Sequence, residues 1–157
     1  MLFSYGLCLL LSVAPPRLSD GEFPQAVTFS DTLEQLSLDN GYRLVRIRNS
    51  NAHQLRLVRH QQLIHTINFP NQAERAGFSV NWVRKTPTGF TLSIEYGTRI
   101  WVDRSFFFTY CKNHFYLAQI RTMRLDKARP ENLTDTNTLL RPNIMLTRFT
   151  LTDYIPL

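Results

Sequence analysis

From Tyr42 onward, apolar and polar residues alternate with a period of two. The runs YRLVRIR (42–48), LRLV (55–58) and LIHTINF (63–69) are strand-like and are separated by Asn49-Ser50-Asn51 and Arg59-His60. Arg46, Arg48 and Arg56 fall on alternate positions, which predicts that they face water together. Pro70 to Gly77 interrupts the rhythm with room for one helical turn. FSVNWV (78–83) and FTLSIEY (90–96) then resume it around Thr86-Pro87-Thr88-Gly89. In the latter run Phe90, Leu92, Ile94 and Tyr96 alternate with Thr91, Ser93 and Glu95, the pattern of a strand with one buried face. Gly97-Thr98 turns the chain into RIWVD (99–103).

The stretch FFFTYCKNHFYL (106–117) reads as a hairpin with a two-residue turn at Lys112-Asn113. That turn sets Cys111 opposite His114, Tyr110 opposite Phe115 and Phe108 opposite Leu117. One face then carries Phe106, Phe108, Tyr110, Phe115 and Leu117. The other carries Phe107, Cys111, His114, Tyr116, Ala118 and Ile120. After Leu125, DKARPENLTDTN is polar, contains Pro130 and reads as a long loop, and IMLTRFTL (144–151) is a last alternating run. Upstream, Asp31-Thr32-Leu33-Glu34 has the spacing of a capping box, with Leu33 and Leu36 on one side and Asn40-Gly41 as a stop. These elements predict a mainly β fold, an antiparallel meander or sandwich with one short N-terminal helix, occupying residues 31–157 as a single domain.

Composition agrees. Of 157 residues, 43% are hydrophobic and 12% aromatic, enough packing surface to exclude a disordered chain. Eleven Phe and six Tyr favour strands, whose pleated surface suits bulky side chains. The formal charge of +6 comes from fifteen Arg and three Lys against twelve acids. Arginine's planar fork suits carboxylates and phosphates, so an arginine-rich surface fits an acidic protein, an anionic polymer or a membrane headgroup, while the lack of a uniform basic run fits a solvated basic face. No run resembles a nucleic-acid motif, and nucleic acid is not expected.

The N-terminus shifts the expected compartment. Leu2 to Ala14 is an uncharged apolar run of thirteen residues, short for a membrane span and suited to the core of an export signal. Ser12 and Ala14 supply small residues at the −3 and −1 positions of a cleavage site. No Lys or Arg precedes the run, however, and Pro15 would follow the cut. The expectation is an export signal over 1–14, a linker over 15–30, and a periplasmic mature chain that has lost Cys8 and has no integral membrane span. Asn132-Leu133-Thr134 matches a glycosylation acceptor, a pattern common by chance.

Candidate chemistry is sparse. Cys111 and His114 would be neighbours in any protein with this hairpin, so their proximity does not mark a nucleophile and base; a small packed cysteine is the expectation. His53, His60, His65 and His114 lack metal-ligand spacing, and Glu95, Asp103 and Asp126 are scattered. There is no phosphate loop, nucleophile elbow or zinc-protease helix. No metal, cofactor or enzymatic activity is therefore expected. Arg99, Trp101, Asp103 and Arg104 form a different group: Ile100 and Val102 should point into the sheet, sending Arg99, Trp101 and Asp103 the other way. An indole among charges on a sheet surface suits protein recognition; the alternative, for Trp101 as for Trp82, is a tryptophan packed under a second layer of the fold.

An export-like leader followed by the aromatic meander GFTLSIEYGTRIWVDRSFFFTYCKNHFYLAQI resembles the small periplasmic β-rich proteins of Gram-negative bacteria, many of them immunity proteins or inhibitors. The resemblance covers about half the chain at the level of pattern. It implies a non-enzymatic protein that blocks a secreted, envelope-targeting toxin, such as a peptidoglycan-modifying enzyme. The alternative is a periplasmic module for glycans or anionic envelope polymers.

Overall fold

The computed structural model describes residues 32–48, 53–71 and 73–155. The expected export signal over 1–14, with Cys8, and the linker over 15–30 lie outside them. The described chain forms two antiparallel sheets, each a meander in sequence order. The first contains β1 (Thr32–Ser37), β2 (Tyr42–Arg48), β3 (His53–Arg59) and β4 (Gln62–Asn68). The second contains β5 (Ser79–Thr86), β6 (Gly89–Tyr96), β7 (Ile100–Cys111), β8 (His114–Asp126) and β9 (Arg129–Met145).

The two sheets close over one core. Leu44, Leu55, Leu57 and Ile67 from the first meet Val83, Phe90, Leu92, Ile94, Phe106, Phe108, Phe115 and Leu117 from the second. Phe90 stacks on Phe108 with centroids 4.7 Å apart, and Tyr42 meets Phe115 edge-on at 5.3 Å. Two polar links join the layers: Tyr42 Oη donates to the Asn113 carbonyl at 3.1 Å, and Lys85 Nζ pairs with Asp39 at 2.5 Å. After β9, short 3-10 turns at Leu146–Arg148 and Leu151–Tyr154 bring Leu146, Phe149 and Leu151 under the same core. On the opposite side of the first sheet, Val45, Ile47 and Val58 form a smaller buried group of their own.

The expected N-terminal helix is a strand. Thr32, Glu34 and Leu36 are half-buried while Leu33, Gln35 and Ser37 are exposed, and Leu36 lies opposite Leu44. Two turns of helix are too short to be stable alone, and pairing to β2 satisfies the same backbone groups. Asn40-Gly41 serves as a hairpin turn instead of a helix stop, with φ of +60° and +75°.

The predicted loop after Leu125 is a strand as well. Its polarity reflects exposure on both sides of an edge, where Pro130 removes no ladder bond that the sheet requires. The last alternating run ends β9 at Met145 and becomes the 3-10 turns. The three arginines do not form one face either: Arg46 lies opposite Leu55 while Arg56 lies opposite Val45, on the other side of the sheet.

The aromatic hairpin forms as expected. Lys112 and Asn113 have φ of +48° and +64°, the conformation that a two-residue hairpin turn requires, and the pairs Cys111–His114, Tyr110–Phe115 and Phe108–Leu117 are all present. Two details differ. Ala118 is an extra residue between the pairs Phe108–Leu117 and Phe107–Gln119, and this bulge turns Ile120 into the core beside Phe106. Cys111 is an exposed free thiol, not a packed one, because it caps the outer side of the turn, where no layer covers it.

Candidate recognition face

The outer face of the second sheet is uncovered by the first, and its pattern follows from the alternation that builds the core. Leu92, Ile94 and Tyr96 point inward on β6, so Thr91, Ser93 and Glu95 point outward. Register then fixes their neighbours. Trp82, Ser93, Ser105 and Arg121 form one cross-strand row; Ser79, Glu95, Asp103 and Met123 form the next; and Trp101 lies opposite Leu125 beyond them. On this face β6 carries the short hydroxyls of Thr91 and Ser93, flanked by longer side chains on its neighbours. Ser93 is fully buried and Thr91 nearly so, though both face away from the core.

Trp101 is held in place. Its indole N–H donates to Glu95 Oε2 at 3.2 Å, while Ser79 Oγ donates to Glu95 Oε1 at 2.9 Å. Across the strand pair, Asp103 accepts from Asn81 Nδ2 at 3.1 Å and from Ser93 Oγ at 3.5 Å. Asn81 reaches Asp103 because the irregularity between Val80 and Trp82 frees it from the ladder. All four carboxylate oxygens are thus engaged inside the sheet, which suits them to position neighbours more than to exchange protons with a substrate. Burial pushes the Asp103 carboxyl above the usual carboxylate range, with a further upward push from Glu95; the bonds from Asn81 and Ser93 and the charge of Arg121 oppose it.

Cations form the rim. The Arg84 guanidinium lies over the Trp82 ring, 4.6 Å from its centroid. Arg121 grips Asp135 on β9 through two bonds, Nε to Oδ1 at 3.0 Å and a terminal nitrogen to Oδ2 at 2.6 Å. That fork lowers the Asp135 carboxyl and raises the Arg121 guanidinium. Arg99 pairs with Asp126 at 3.7 Å while its side chain stays 74% exposed, leaving the guanidinium available to a partner.

Of the four residues singled out in the sequence, the structure brings three to this side and turns the fourth away. Val102 is in the core and Ile100 packs against it, which leaves Arg99, Trp101 and Asp103 outward. Arg104 shares the parity of Ile100 and Val102. It lies opposite Ile94 on β6 and Thr122 on β8, donates to Thr122 Oγ1 at 3.0 Å and to the Tyr154 carbonyl, and lies 6.0 Å from the Tyr96 ring centroid. It ties the C-terminal turn to the core side of the sheet. Sequence reasoning missed Glu95, Ser79 and Asn81. The signal for Glu95 was present, since Asp103 falls opposite it once the chain reverses near Gly97-Thr98.

The other candidates stay apart. Cys111 and His114 are both exposed at the hairpin tip. Among the described residues no three of His, Cys, Asp and Glu gather where a metal could be held, and no helix is long and apolar enough to cross a membrane. His53 is the most perturbed histidine: burial, then the charges of Arg46 and Arg48, push it down to about 4, and its Nε2 accepts from Arg46 Nε at 3.4 Å. Compared with protein-family models, with characterised proteins and with solved structures, the chain matches none.

Proposed function

We propose that this chain is a non-enzymatic protein-binding module whose outer face on the second sheet, centred on Trp101, engages another protein. The observation that carries this reading is the Trp101–Glu95–Ser79 chain of hydrogen bonds, which holds an indole in fixed orientation on the uncovered side of the sheet. A rigid aromatic anchor loses little conformational freedom on binding, and such residues dominate binding energy. Asp103 and Glu95 beside it are acidic, while Arg84, Arg99 and Arg121 surround them. The complementary partner therefore presents a basic or amide group at the centre and acidic groups at the rim. The acidic partner expected from overall charge applies to that rim.

In its most specific form the proposal is an exported inhibitor, an immunity protein that covers the working surface of an envelope-targeting toxin. The export-like leader and the missing catalytic set support it. Purification of the tagged full-length chain from the periplasm tests it. Stoichiometric recovery of a secreted enzyme, whose activity falls when the purified chain is added, is the expected result. Retention on peptidoglycan or lipopolysaccharide without a protein partner would replace it with glycan binding, in which Trp82 and Trp101 stack on sugars. Turnover of a substrate by the chain itself would end the non-enzymatic reading.

A further inference from the structure

At the end of the second sheet opposite the Lys112-Asn113 turn, the β6–β7 turn packs against the segment that leads into β5. The Gly97 N–H donates to the Ala76 carbonyl at 2.9 Å. Gly77 and Gly97 have φ of +67° and +94°, and a Cβ on Gly77 would lie 2.5 Å from the Gly97 carbonyl oxygen, while one on Gly97 would strike the Ile100 carbonyl oxygen. Only glycines admit so close an approach. Its consequence is that Arg75 and Arg99, distant in sequence, line one hollow of about 330 Å³ together with Thr98.

Both guanidiniums come to this hollow short of acceptors. Arg75 lies over the buried Tyr96 ring, 4.8 Å from its centroid, which fixes its plane. It has no ion-pair partner among the described residues, and its Nε is buried without a hydrogen-bond partner. A buried donor left in that state costs free energy, which an anion at the same guanidinium offsets. Glu74, its neighbour in sequence, is turned elsewhere and accepts from the Asn71 N–H at 2.9 Å. Arg99 meets Asp126 only at 3.7 Å and stays 74% exposed, and Asp126 also accepts from the Ala128 N–H at 2.9 Å. Two cations thus share a small concave surface with one loosely held acid at its rim. A carboxylate would occupy a single fork. A phosphate monoester, with about −1.5 to −2 charges and three acceptor oxygens, matches two.

We propose that Arg75 and Arg99 form a phosphate-binding site at the Gly97 turn, which takes a phosphate monoester bridging the two guanidiniums. The site adjoins the recognition face through Arg99, but the inference stands whatever that face binds.

Nuclear magnetic resonance titration of the isotope-labelled full-length chain with inorganic phosphate and then glycerol phosphate tests it, at constant ionic strength and pH ~7.5, where the ester is largely dianionic. The Nε–H signals of Arg75 and Arg99 should move along one saturating curve while that of Arg84 stays still. Acetate should bind about tenfold more weakly, because it fills one fork. Arg99→Gln, at an exposed position, should weaken phosphate about tenfold with the melting temperature unchanged, and Asp126→Asn, which releases Arg99, should tighten it. Centrifugation with vesicles of phosphatidic acid in phosphatidylcholine separates the two sources of such a group. Pelleting that depends on Arg99 assigns the phosphate to a lipid headgroup, and saturable binding of glycerol phosphate without pelleting assigns it to a soluble ester. Shifts that never saturate, equal movement at Arg84, or unchanged phosphate affinity in both Arg75→Gln and Arg99→Gln would overturn the proposal.

Discussion

The Trp101 indole N–H donates to Glu95 Oε2 at 3.2 Å, linking a strand on one side of the Gly97 turn to the strand on the other. The contact fixes how the ring lies on the sheet, and it leaves the protein with a choice that single substitutions expose. Removing Glu95 should free the ring without disturbing the core, because Ile94 and Tyr96 carry the packing of β6. The predicted outcome for Glu95→Ala is a loss of at most about 1.5 kcal/mol in chemical denaturation, the scale of a half-exposed hydrogen bond. Red-shifted, broadened Trp emission should accompany it.

Arg104→Ala should act on stability and not on recognition. It removes donors to the Tyr154 carbonyl and Thr122 Oγ1, and hydrogen bonds from a charged group are worth about 1.5–3 kcal/mol. Hydrogen exchange should then quicken at residues 151–155, while partner affinity stays unchanged.

Asp103 supplies a pH dependence of known sign. Its folded-state pKa is raised by burial, so the folded state holds the proton more tightly than the unfolded state does. The group therefore lowers stability as pH rises from about 4 through its folded value. Asp103→Asn should raise the melting temperature at pH 7 relative to wild type, and the gain should vanish near pH 3.5.

His53 works in the opposite direction. Its pKa of about 4 lies below that of an exposed histidine, so between pH 6.5 and 4 the unfolded state binds a proton that the folded state does not. The stability it contributes is complete above pH 6.5 and is lost as pH falls through 4. Thermal melts of His53→Gln should show a shallower decline over that window than wild type. An unchanged slope would mean that burial and the Arg46 and Arg48 charges do not together hold the ring below its ordinary value.

Cys111 is exposed at the turn, so Cys111→Ser should change stability by less than about 0.5 kcal/mol, the range of surface substitutions. The thiol should react with a maleimide in the folded protein at the rate of a free cysteine. Protection from the reagent in the native state would contradict the exposure.

The strands from Tyr42 to Leu125 were legible because their apolar residues recur at alternate positions, although β6 is buried on both faces where a single buried face was expected: YRLVRIR is β2 to the residue, and the Lys112-Asn113 turn sets the register of the β7–β8 hairpin. What failed did so for identifiable reasons. A six-residue edge strand at Thr32–Ser37 is as polar as a helix turn, and its capping spacing carries no information about the neighbour that claims it. β9 is exposed on both sides from Arg129 to Leu139, so that part of its sequence has no buried face to reveal it. The bulge at Ala118 moved Ile120 inward, a change of parity that local pattern does not encode. On the candidate face, the outward placement of Trp101 and Asp103 follows from alternation alone. Arg104 was grouped with them by sequence proximity, although the same alternation places it with Ile100 and Val102, and Glu95 required the pairing of two strands.

The most direct test of the recognition face is calorimetric titration of the partner recovered from the periplasm against wild type, Trp101→Ala and Leu63→Ser. Leu63 is an exposed leucine on the first sheet and serves as a control. Leu63→Ser should bind as wild type does. Trp101→Ala should keep its thermal melt and bind about 30-fold more weakly, which corresponds to roughly 2 kcal/mol. Wild-type affinity in a folded Trp101→Ala protein, or unfolding of that variant, would contradict it: the first would place recognition elsewhere, and the second would make the indole part of the fold.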